Sequence, residues 1–195
     1  MVHWLDSAQN ELLVCVFTIT NNDLRNALHR AHDRGVKVRV ISDDECMKQI
    51  GSDVYTLKTY GIEVESDTNP DAHMHNKFCV IDTNIIITGS FNWTMSAVDK
   101  NNENLTVLAC PELAKQYRNQ FNDLWQQFKS ASISMTDARE HVQADRDRYR
   151  GRGGHRGGDR GGHRGGHRGG DRGGHRGGDH GGRGGHRGGR GNRRG

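Results

Sequence analysis

Residues 75–94 read HNKFCVIDTNIIITGSFNWT. Two apolar runs, at 78–81 and 85–88, flank the triplet Asp82-Thr83-Asn84. Short apolar runs separated by polar turn residues are typical of a β-hairpin. We therefore expect two adjacent antiparallel strands here, joined by a tight turn at the triplet.

Polar side chains lie on either side of this hairpin. His75 and Lys77 are two residues apart, and side chains two apart on a strand point to the same face. Ser90 and Asn92 are also two apart, at the end of the second run. The hairpin is therefore expected to bring these four side chains together, and Glu103, which precedes the next apolar run, can reach the same point.

These are the groups needed to cleave a phosphodiester without a metal. An imidazole can attack phosphorus and form a covalent phosphoenzyme. A lysine ammonium, with hydroxyl and amide groups, can stabilise the charge on the non-bridging oxygens. A carboxylate on the other ring nitrogen fixes the imidazole tautomer, and a second acid must protonate the leaving oxygen. The pattern favours a catalytic site over a surface histidine beside a solvated lysine.

The flanking sequence predicts alternating strands and helices. In chain order these are a strand at 12–20, a helix at 23–34, a strand at 36–41, a helix at 46–60, a strand at 62–64, the hairpin, a strand at 104–109 and a helix at 111–129. This order predicts an α/β domain over residues 1–130, with a mixed sheet flanked by helices. Residues 131–150 either extend the last helix or form a linker.

The composition changes abruptly near Tyr149. The segment 151–195 is almost entirely Gly, Arg, His and Asp in four-residue repeats, with 12 Arg and 3 Asp. The whole chain has 28 basic and 24 acidic residues, so residues 1–150 hold 16 and 21 and are net acidic. Without apolar side chains, the tail cannot offset the entropy lost on ordering. Residues 151–195 are therefore predicted to be disordered.

The basic tail also predicts a partner. Arginine has a planar fork that pairs with phosphate and stacks on bases, and arginine-rich disordered segments are common in RNA binding. Single-stranded nucleic acid is therefore an expected partner, and a tail that promotes only solubility or condensation is the alternative. The candidate tail contacts are Arg152, Arg156, Arg160, Arg164, Arg168, Arg172 and Arg176.

Other features of the sequence narrow the function. The four cysteines form no C-x-x-C pair, so buried thiols and a reducing compartment are expected. No apolar run approaches the roughly 20 residues that cross a bilayer, so no transmembrane segment is predicted. His73 and His75, with Asp71 nearby, lack the usual spacing of a zinc site. No metal and no other cofactor is therefore predicted.

The segment from His75 to Glu103 resembles the HKD signature of the phospholipase D superfamily, in which His75, Lys77 and Asp82 match the pattern H-x-K-x4-D. Residues 10–130 most resemble the branch with one HKD motif per chain. That branch includes Nuc-type endonucleases and mitochondrial cardiolipin hydrolases, also called Zucchini-type endonucleases. The resemblance implies a metal-independent phosphodiesterase with the phospholipase D fold.

The resemblance also implies a catalytic set. His75 would be the nucleophile that becomes phosphohistidine, and Lys77 would act on the phosphate beside it. Glu103 would pair with the His75 ring. Asp82 matches the last position of the motif and would orient its neighbours from the hairpin.

Phosphate binding would fall to Lys77, Ser90 and Asn92. Since the chain carries one HKD motif, the resemblance implies a two-fold homodimer. The second copy of His75 would protonate the leaving group and then activate water. No metal is implied.

The resemblance leaves the substrate open. The leading expectation is an endonuclease on single-stranded RNA or DNA. The alternatives are a phospholipase that cleaves cardiolipin to phosphatidic acid and an inactive RNA-binding scaffold. An intracellular protein is expected, and the family suggests the mitochondrial outer surface. The membrane anchor and zinc-binding insert of some members are absent, so either a truncated start or a soluble version is expected.

Overall fold

The computed structural model describes residues 1–49, 51–67, 69, 71–129 and 133–153, with side chains to residue 150. In chain order, its elements are α1 (Val2–Asp6), β1 (Glu11–Val16), α2 (Asn22–Asp33), β2 (Lys37–Ser42), α3 (Asp44–Met47), α4 (Val54–Tyr60), β3 (Glu63–Ser66), β4 (Lys77–Ile81), β5 (Ile85–Gly89), α5 (Met95–Asp99), β6 (Leu105–Ala109), α6 (Pro111–Phe128) and α7 (Met135–Gly153). None of the helices in these ranges has the length and apolar character of a membrane-spanning segment.

The six strands form one mixed sheet in the order β3-β2-β1-β4-β5-β6. The strands β1, β2 and β3 run parallel, whereas β4 is antiparallel to both β1 and β5. The predicted hairpin is the pair β4–β5, and Asp82 and Thr83 close it with left-handed φ angles of 49° and 62°. The predicted α/β class, with a mixed sheet flanked by helices, is confirmed.

Apolar residues cover both faces of the sheet. Because side chains alternate along a strand, Leu12 and Val14 pack in one apolar cluster, with residues of α1, α2 and α4. Leu13 and Cys15 pack on the opposite face, against α6. Fully buried central strands of this kind fix the register, since a slip of one residue would turn apolar side chains to the wrong face.

The first helix after β1 begins and ends where the sequence predicts. The Asn21 side chain caps it by accepting hydrogen bonds from the N–H groups of Asp23 (2.9 Å) and Leu24 (3.1 Å). The chain leaves the helix at Gly35, whose φ of 84° lies in the left-handed region that glycine tolerates.

Two predicted elements are shorter than expected. The strand predicted at 12–20 ends at Val16. The helix predicted at 46–60 is two short helices, α3 and α4, with Gly51 between them at a left-handed φ of 84°. The Asp53 N–H donates to Ile19 O (2.9 Å) and ties the start of α4 to the chain beyond β1, which interrupts the helix.

The C-terminal part of the described chain is a separate helix, α7, which packs against α4. It lies in the segment predicted to be either a linker or an extension of α6. It continues to Gly153 and so overlaps the first three residues of the segment predicted to be disordered. The rest of the predicted disordered tail lies outside the described residues.

All four cysteines are free, and three of them are buried. Burial, reinforced by the neighbouring Asp43, raises the pKa of Cys46 to about 12. Burial also raises the pKa of Cys15 and Cys79. The prediction of buried thiols is therefore confirmed for Cys15 and Cys79.

The Asp82 carboxylate anchors the N-terminal segment to the hairpin. Its two oxygens accept hydrogen bonds from the backbone N–H groups of Gln9 (2.8 Å), Asn10 (2.7 Å) and Glu11 (2.9 Å). The Asp82 N–H donates in return to Glu11 O (3.0 Å). Hydrogen bonds to an ionised acceptor are stronger than neutral ones, so Asp82 fixes the point at which β1 begins.

Replacing Asp82 with alanine is expected to lower the free energy of unfolding by about 2–4 kcal/mol, because three backbone N–H groups lose a charged acceptor. Urea denaturation followed by circular dichroism measures the change. Asp71→Ala, at an exposed position, is the matched control and should cost less than about 0.5 kcal/mol. A fall in diester hydrolysis by the folded Asp82→Ala protein, without a loss of stability, would contradict the anchoring role.

Candidate active site

An open cavity of about 530 Å³ lies at one edge of the sheet. The N-terminal end of β4 meets the C-terminal ends of β1 and β5 at this edge, because Val16 pairs with Lys77, and Phe78 pairs with Thr88. The residues that line the cavity are His75, Asn76, Lys77, Phe78, Thr88, Gly89, Ser90, Asn92 and Tyr117. The structure therefore brings together the four side chains predicted from the hairpin, His75, Lys77, Ser90 and Asn92.

The two central groups of the cavity, His75 and Lys77, contact each other directly. The Lys77 ammonium donates to the His75 carbonyl oxygen at 2.8 Å and lies 3.1 Å from Nδ1 of the imidazole. An ammonium can only donate, so Nδ1 is the acceptor in this contact. Burial lowers the pKa of Lys77, and the nearby Glu103 carboxylate opposes this shift.

The aromatic ring of Phe17 packs against both His75 and Lys77. The sequence pattern did not predict this residue. Its ring centroid lies 4.7 Å from that of His75, and the Lys77 nitrogen lies 5.2 Å from the same ring. The latter is within cation–π range. Phe17 follows the last residue of β1, and its N–H donates to Asn76 O (3.0 Å). Its position depends on the pairing of β1 with β4, which the local sequence does not reveal.

Ser90 and Glu103 form a hydrogen-bonded pair at the cavity rim. The Ser90 hydroxyl donates to one oxygen of Glu103 and accepts from the Asn104 N–H at 3.1 Å. The other Glu103 oxygen accepts from the Asn101 side chain at 3.0 Å. The hydrogen bond from Ser90, followed by that from Asn101, lowers the pKa of Glu103.

This pairing corrects the expected role of Glu103. Among the described residues, the imidazole of His75 has no hydrogen bond to Glu103, because that carboxylate is engaged by Ser90 and Asn101. The Ser90 hydroxyl proton is likewise committed to Glu103. The positive and amide groups left to face an anion in this arrangement belong to Lys77 and Asn92.

Asn92 contributes a polar atom that still lacks a partner. Its Oδ1 is buried and makes no hydrogen bond to any described residue. Leaving such a group unsatisfied costs about 1–3 kcal/mol. Which amide atom occupies the position is assigned from the surroundings, but either one needs a partner. A bound molecule in the cavity can supply it.

The close approach of two strands shapes the rim. A Cβ atom on Gly89 would lie 2.1 Å from the Asn104 carbonyl oxygen. That separation is far below van der Waals contact, so only glycine fits. The backbone N–H of Ser90 donates to the same oxygen at 3.1 Å. Gly89 therefore lets the Ser90 and Asn104 backbones join, which holds Glu103 at the rim.

Asp82 is not brought to the cavity. It follows the C-terminal end of β4, whereas His75 precedes the N-terminal end, so the strand separates them by roughly 16 Å. The expectation that grouped Asp82 with the catalytic side chains is corrected by this position. Its contacts with the N-terminal segment agree with the expected orienting role at the hairpin.

His73 belongs to a different constellation from His75. Its Nδ1 lies 2.9 Å from the Asp43 carboxylate, which is fully buried, and that hydrogen bond raises the pKa of His73. The carboxylates of Asp43, Asp44 and Asp67 lie close together. Backbone N–H groups already bind Asp43 and Asp67, so these acids stabilise loop structure. His73 and His75, which were considered as a metal site, therefore contact different partners. His73 contacts Asp43, and His75 contacts Lys77.

The predicted tail contacts cannot be placed around this cavity. The backbone of Arg152 lies within α7. The other six predicted arginines, from Arg156 to Arg176, lie outside the described residues.

Comparison with known proteins places the chain in a family. The family described as "Cardiolipin synthase, PLD-like domain" matches residues 1–125. The chain is 46% identical over 126 residues to a protein of Chlamydomonas reinhardtii named mitochondrial cardiolipin hydrolase, with 65% of this chain and 56% of that protein covered. It is 37% identical over 134 residues to the protein of that name in Xenopus tropicalis, with 69% and 63% covered.

A solved structure agrees with these matches. Nuc from Salmonella typhimurium, a phospholipase D family member, superposes with a TM-score of 0.62 at 30% identity, over 65% of this chain and 85% of that one. The chain spans 56–63% of the length of the two curated relatives. The predicted resemblance is confirmed: this chain belongs to the phospholipase D superfamily, in its branch with one HKD motif per chain.

Proposed function

We propose that the chain is the subunit of a metal-independent phosphodiesterase that cleaves single-stranded nucleic acid through a covalent phosphohistidine at His75. The observation that carries this proposal is the direct contact between an imidazole and a partly buried ammonium in one open cavity. The cation neutralises a phosphate, and the imidazole beside it attacks phosphorus. Membership of the phospholipase D superfamily supports the same chemistry.

The first step begins with binding of the scissile phosphate. The phosphate oxygens are stronger hydrogen-bond acceptors than the imidazole. The Lys77 ammonium therefore gives up its hydrogen bond to Nδ1 and donates to the phosphate instead. Asn92, which lines the same cavity, donates from its side-chain NH2 group to a second oxygen. Loss of the lysine contact leaves a ring nitrogen of His75 with a free lone pair aimed at phosphorus.

The reaction then proceeds in two displacements. A nitrogen–phosphorus bond forms at His75 as the bond from phosphorus to the leaving oxygen breaks, and a general acid gives that oxygen a proton. Water next attacks the phosphohistidine, gives its proton to the same group, and the nitrogen–phosphorus bond breaks. We assign this acid and base to His75 of a second copy, because His75 is the one imidazole that the described residues of a single chain place in the cavity lining.

An exposed apolar surface supports a two-fold dimer at this site. Leu105 and Leu108, which project from opposite faces of the edge strand β6, and Met95 and Val98 on α5 are 39–54% exposed. The strand β6 is an edge of the described sheet, and Leu105 pairs with Gly89 at the cavity rim. Burial of this surface between two copies would place both cavities at one interface.

We infer the substrate class from the amino-acid composition of the chain and from the lining of the cavity at His75. Its lining is mostly polar, with Phe78 and Tyr117 as the large apolar members, which suits a sugar–phosphate strand. Residues 1–150 are net acidic, so we assign capture of the strand to the arginines of the tail. Tail binding of this kind weakens steeply as salt rises.

A second candidate is hydrolysis of cardiolipin. The observation that favours it is the name shared by the curated relatives, mitochondrial cardiolipin hydrolase. The same catalytic groups serve either substrate, since both present a phosphodiester. Those names also favour an association with mitochondria.

Cleavage of labelled single-stranded RNA by the full chain in excess EDTA is the direct test. The rate is expected to persist in EDTA and to fall by a factor on the order of 10⁴ in His75→Asn, because the nucleophile is lost. His73→Asn, a histidine outside the cavity, is the matched control and should retain most of the rate. Cleavage that requires added Mg²⁺ would contradict the metal-independent mechanism, and turnover of cardiolipin vesicles alone would favour the lipid candidate.

The double substitution Val98→Glu and Leu108→Glu is expected to give monomers in sedimentation velocity, because charge on the apolar surface opposes its burial. Loss of the second His75 should lower RNA cleavage by about 100-fold or more. Met135→Glu, at an exposed apolar position on α7, should remain dimeric and active. A fully active monomer would contradict the shared site.

A further inference from the structure

A second cavity, of about 740 Å³, lies between α2, the start of α4 and α7. It is connected to the candidate active site through a short path in the backbone. Ile19 forms a β-bridge with Trp93, the residue after Asn92. The Asp53 N–H, at the edge of the second cavity, donates to Ile19 O at 2.9 Å. Ile19 therefore contacts both Trp93, beside the first cavity, and Asp53, at the edge of the second.

Five buried polar atoms in the lining of this cavity make no hydrogen bond to any described residue. They are Ser52 Oγ, Asp53 Oδ2, His29 Nε2, His141 Nε2 and Asp145 Oδ1. Ser52 and Asp53 are each only 5% exposed. A buried polar group without a partner is unfavourable, so this cluster favours a bound polar molecule that supplies partners.

The carboxylates of Asp53 and Asp145 determine which hydrogen-bonding groups the ligand needs. Asp53 uses Oδ1 to bind Arg25 at 2.6 Å, which leaves Oδ2 open. Asp145 accepts a long hydrogen bond from the Gly51 N–H, at 3.4 Å, with Oδ2. Its Oδ1 makes no hydrogen bond and lies 3.8 Å from a guanidinium nitrogen of Arg148, and its Oδ2 lies 3.8 Å from Nε2 of His141. Ionised carboxylates can only accept, so the ligand has to present N–H or O–H donors at this depth.

The rim of the cavity has the opposite charge. Arg146 and Arg150 lie on α7 at its mouth, and Arg25 lies inside it. The three guanidinium groups outnumber the two carboxylates, so a cationic ligand is disfavoured. Most of the side chains that line the cavity are polar or charged, with Val142 and Tyr149 as apolar members, so an acyl chain is disfavoured. A ligand with donors at one end and an anion at the other fits both parts.

We propose that this cavity binds one nucleotide of the single-stranded substrate, with its base directed towards Asp53 and Asp145 and its phosphate held by Arg146 and Arg150. This inference rests on the proposed nuclease function and adds a second contact point for the strand. Guanidinium forks pair with phosphate. Unstacked bases of single-stranded RNA are read through hydrogen bonds to their edges.

The open acceptors also set a base preference. Guanine, adenine and cytosine carry an exocyclic amino group that can donate to the carboxylates, and guanine adds a ring N–H beside its amino group. Uracil presents a single N–H between two carbonyl oxygens, which face the carboxylates unfavourably. The cavity should therefore bind GMP most tightly and UMP least.

Binding to the full-length His75→Asn protein tests this without catalysis. Amide chemical shifts are followed while GMP, UMP or inorganic phosphate is added. GMP should perturb Ser52, Asp53 and the α7 residues around Asp145, and should bind about tenfold more tightly than UMP. Asp145→Ala and Arg146→Gln should each weaken GMP binding by about tenfold, whereas Arg139→Gln, on the same helix but outside the cavity, should not.

Several results would overturn the nucleotide site. These are shifts confined to the tail or to the cavity at His75, equal binding of phosphate and GMP, and tighter binding of an arginine peptide than of GMP. RNA cleavage by the wild-type protein without any nucleotide effect at Ser52 and Asp53 would reject this site alone. GMP binding there in a protein that cleaves no RNA would reject the nuclease function instead.

Discussion

The antiparallel pairing of β4 with β1 on one side and β5 on the other positions His75, Lys77, Phe17 and Ser90 in the candidate active site. Val16 pairs with Lys77, and Phe78 pairs with Thr88. Phe17 and Ser90 therefore project at the same edge as His75. All three strands carry buried apolar side chains, so a register shift of one residue would expose part of the core. The free energy of core packing is thus what holds the imidazole, the ammonium and the rim together.

The parts of the fold that depend on local patterns were predictable from sequence. The apolar runs around Asp82-Thr83-Asn84 predict the hairpin, and Asn21 and Gly35 mark the ends of α2. The break between α3 and α4 was missed, because the bond from Asp53 to Ile19 joins residues far apart in sequence. Tertiary contacts of this kind override helical propensity.

Part of the candidate site was also predictable from the sequence. His75, Lys77, Ser90 and Asn92 meet because the hairpin places the start of β4 beside the end of β5. Phe17 and the partners of Glu103 were not predictable, since they depend on strand order and on competing hydrogen bonds. In the structure, Ser90 donates to Glu103 and Lys77 donates to His75. The proposed binding of phosphate would exchange the second of these hydrogen bonds.

The central claim is that His75 attacks phosphorus and carries one product fragment as a covalent intermediate. The most direct measurement is mass spectrometry of the protein after rapid alkaline quenching of its reaction with a short single-stranded oligonucleotide. The account predicts a nucleotidyl-phosphate adduct on the peptide that contains His75, and its loss in His75→Asn. Efficient cleavage without an adduct, or with an adduct on another residue, would contradict it.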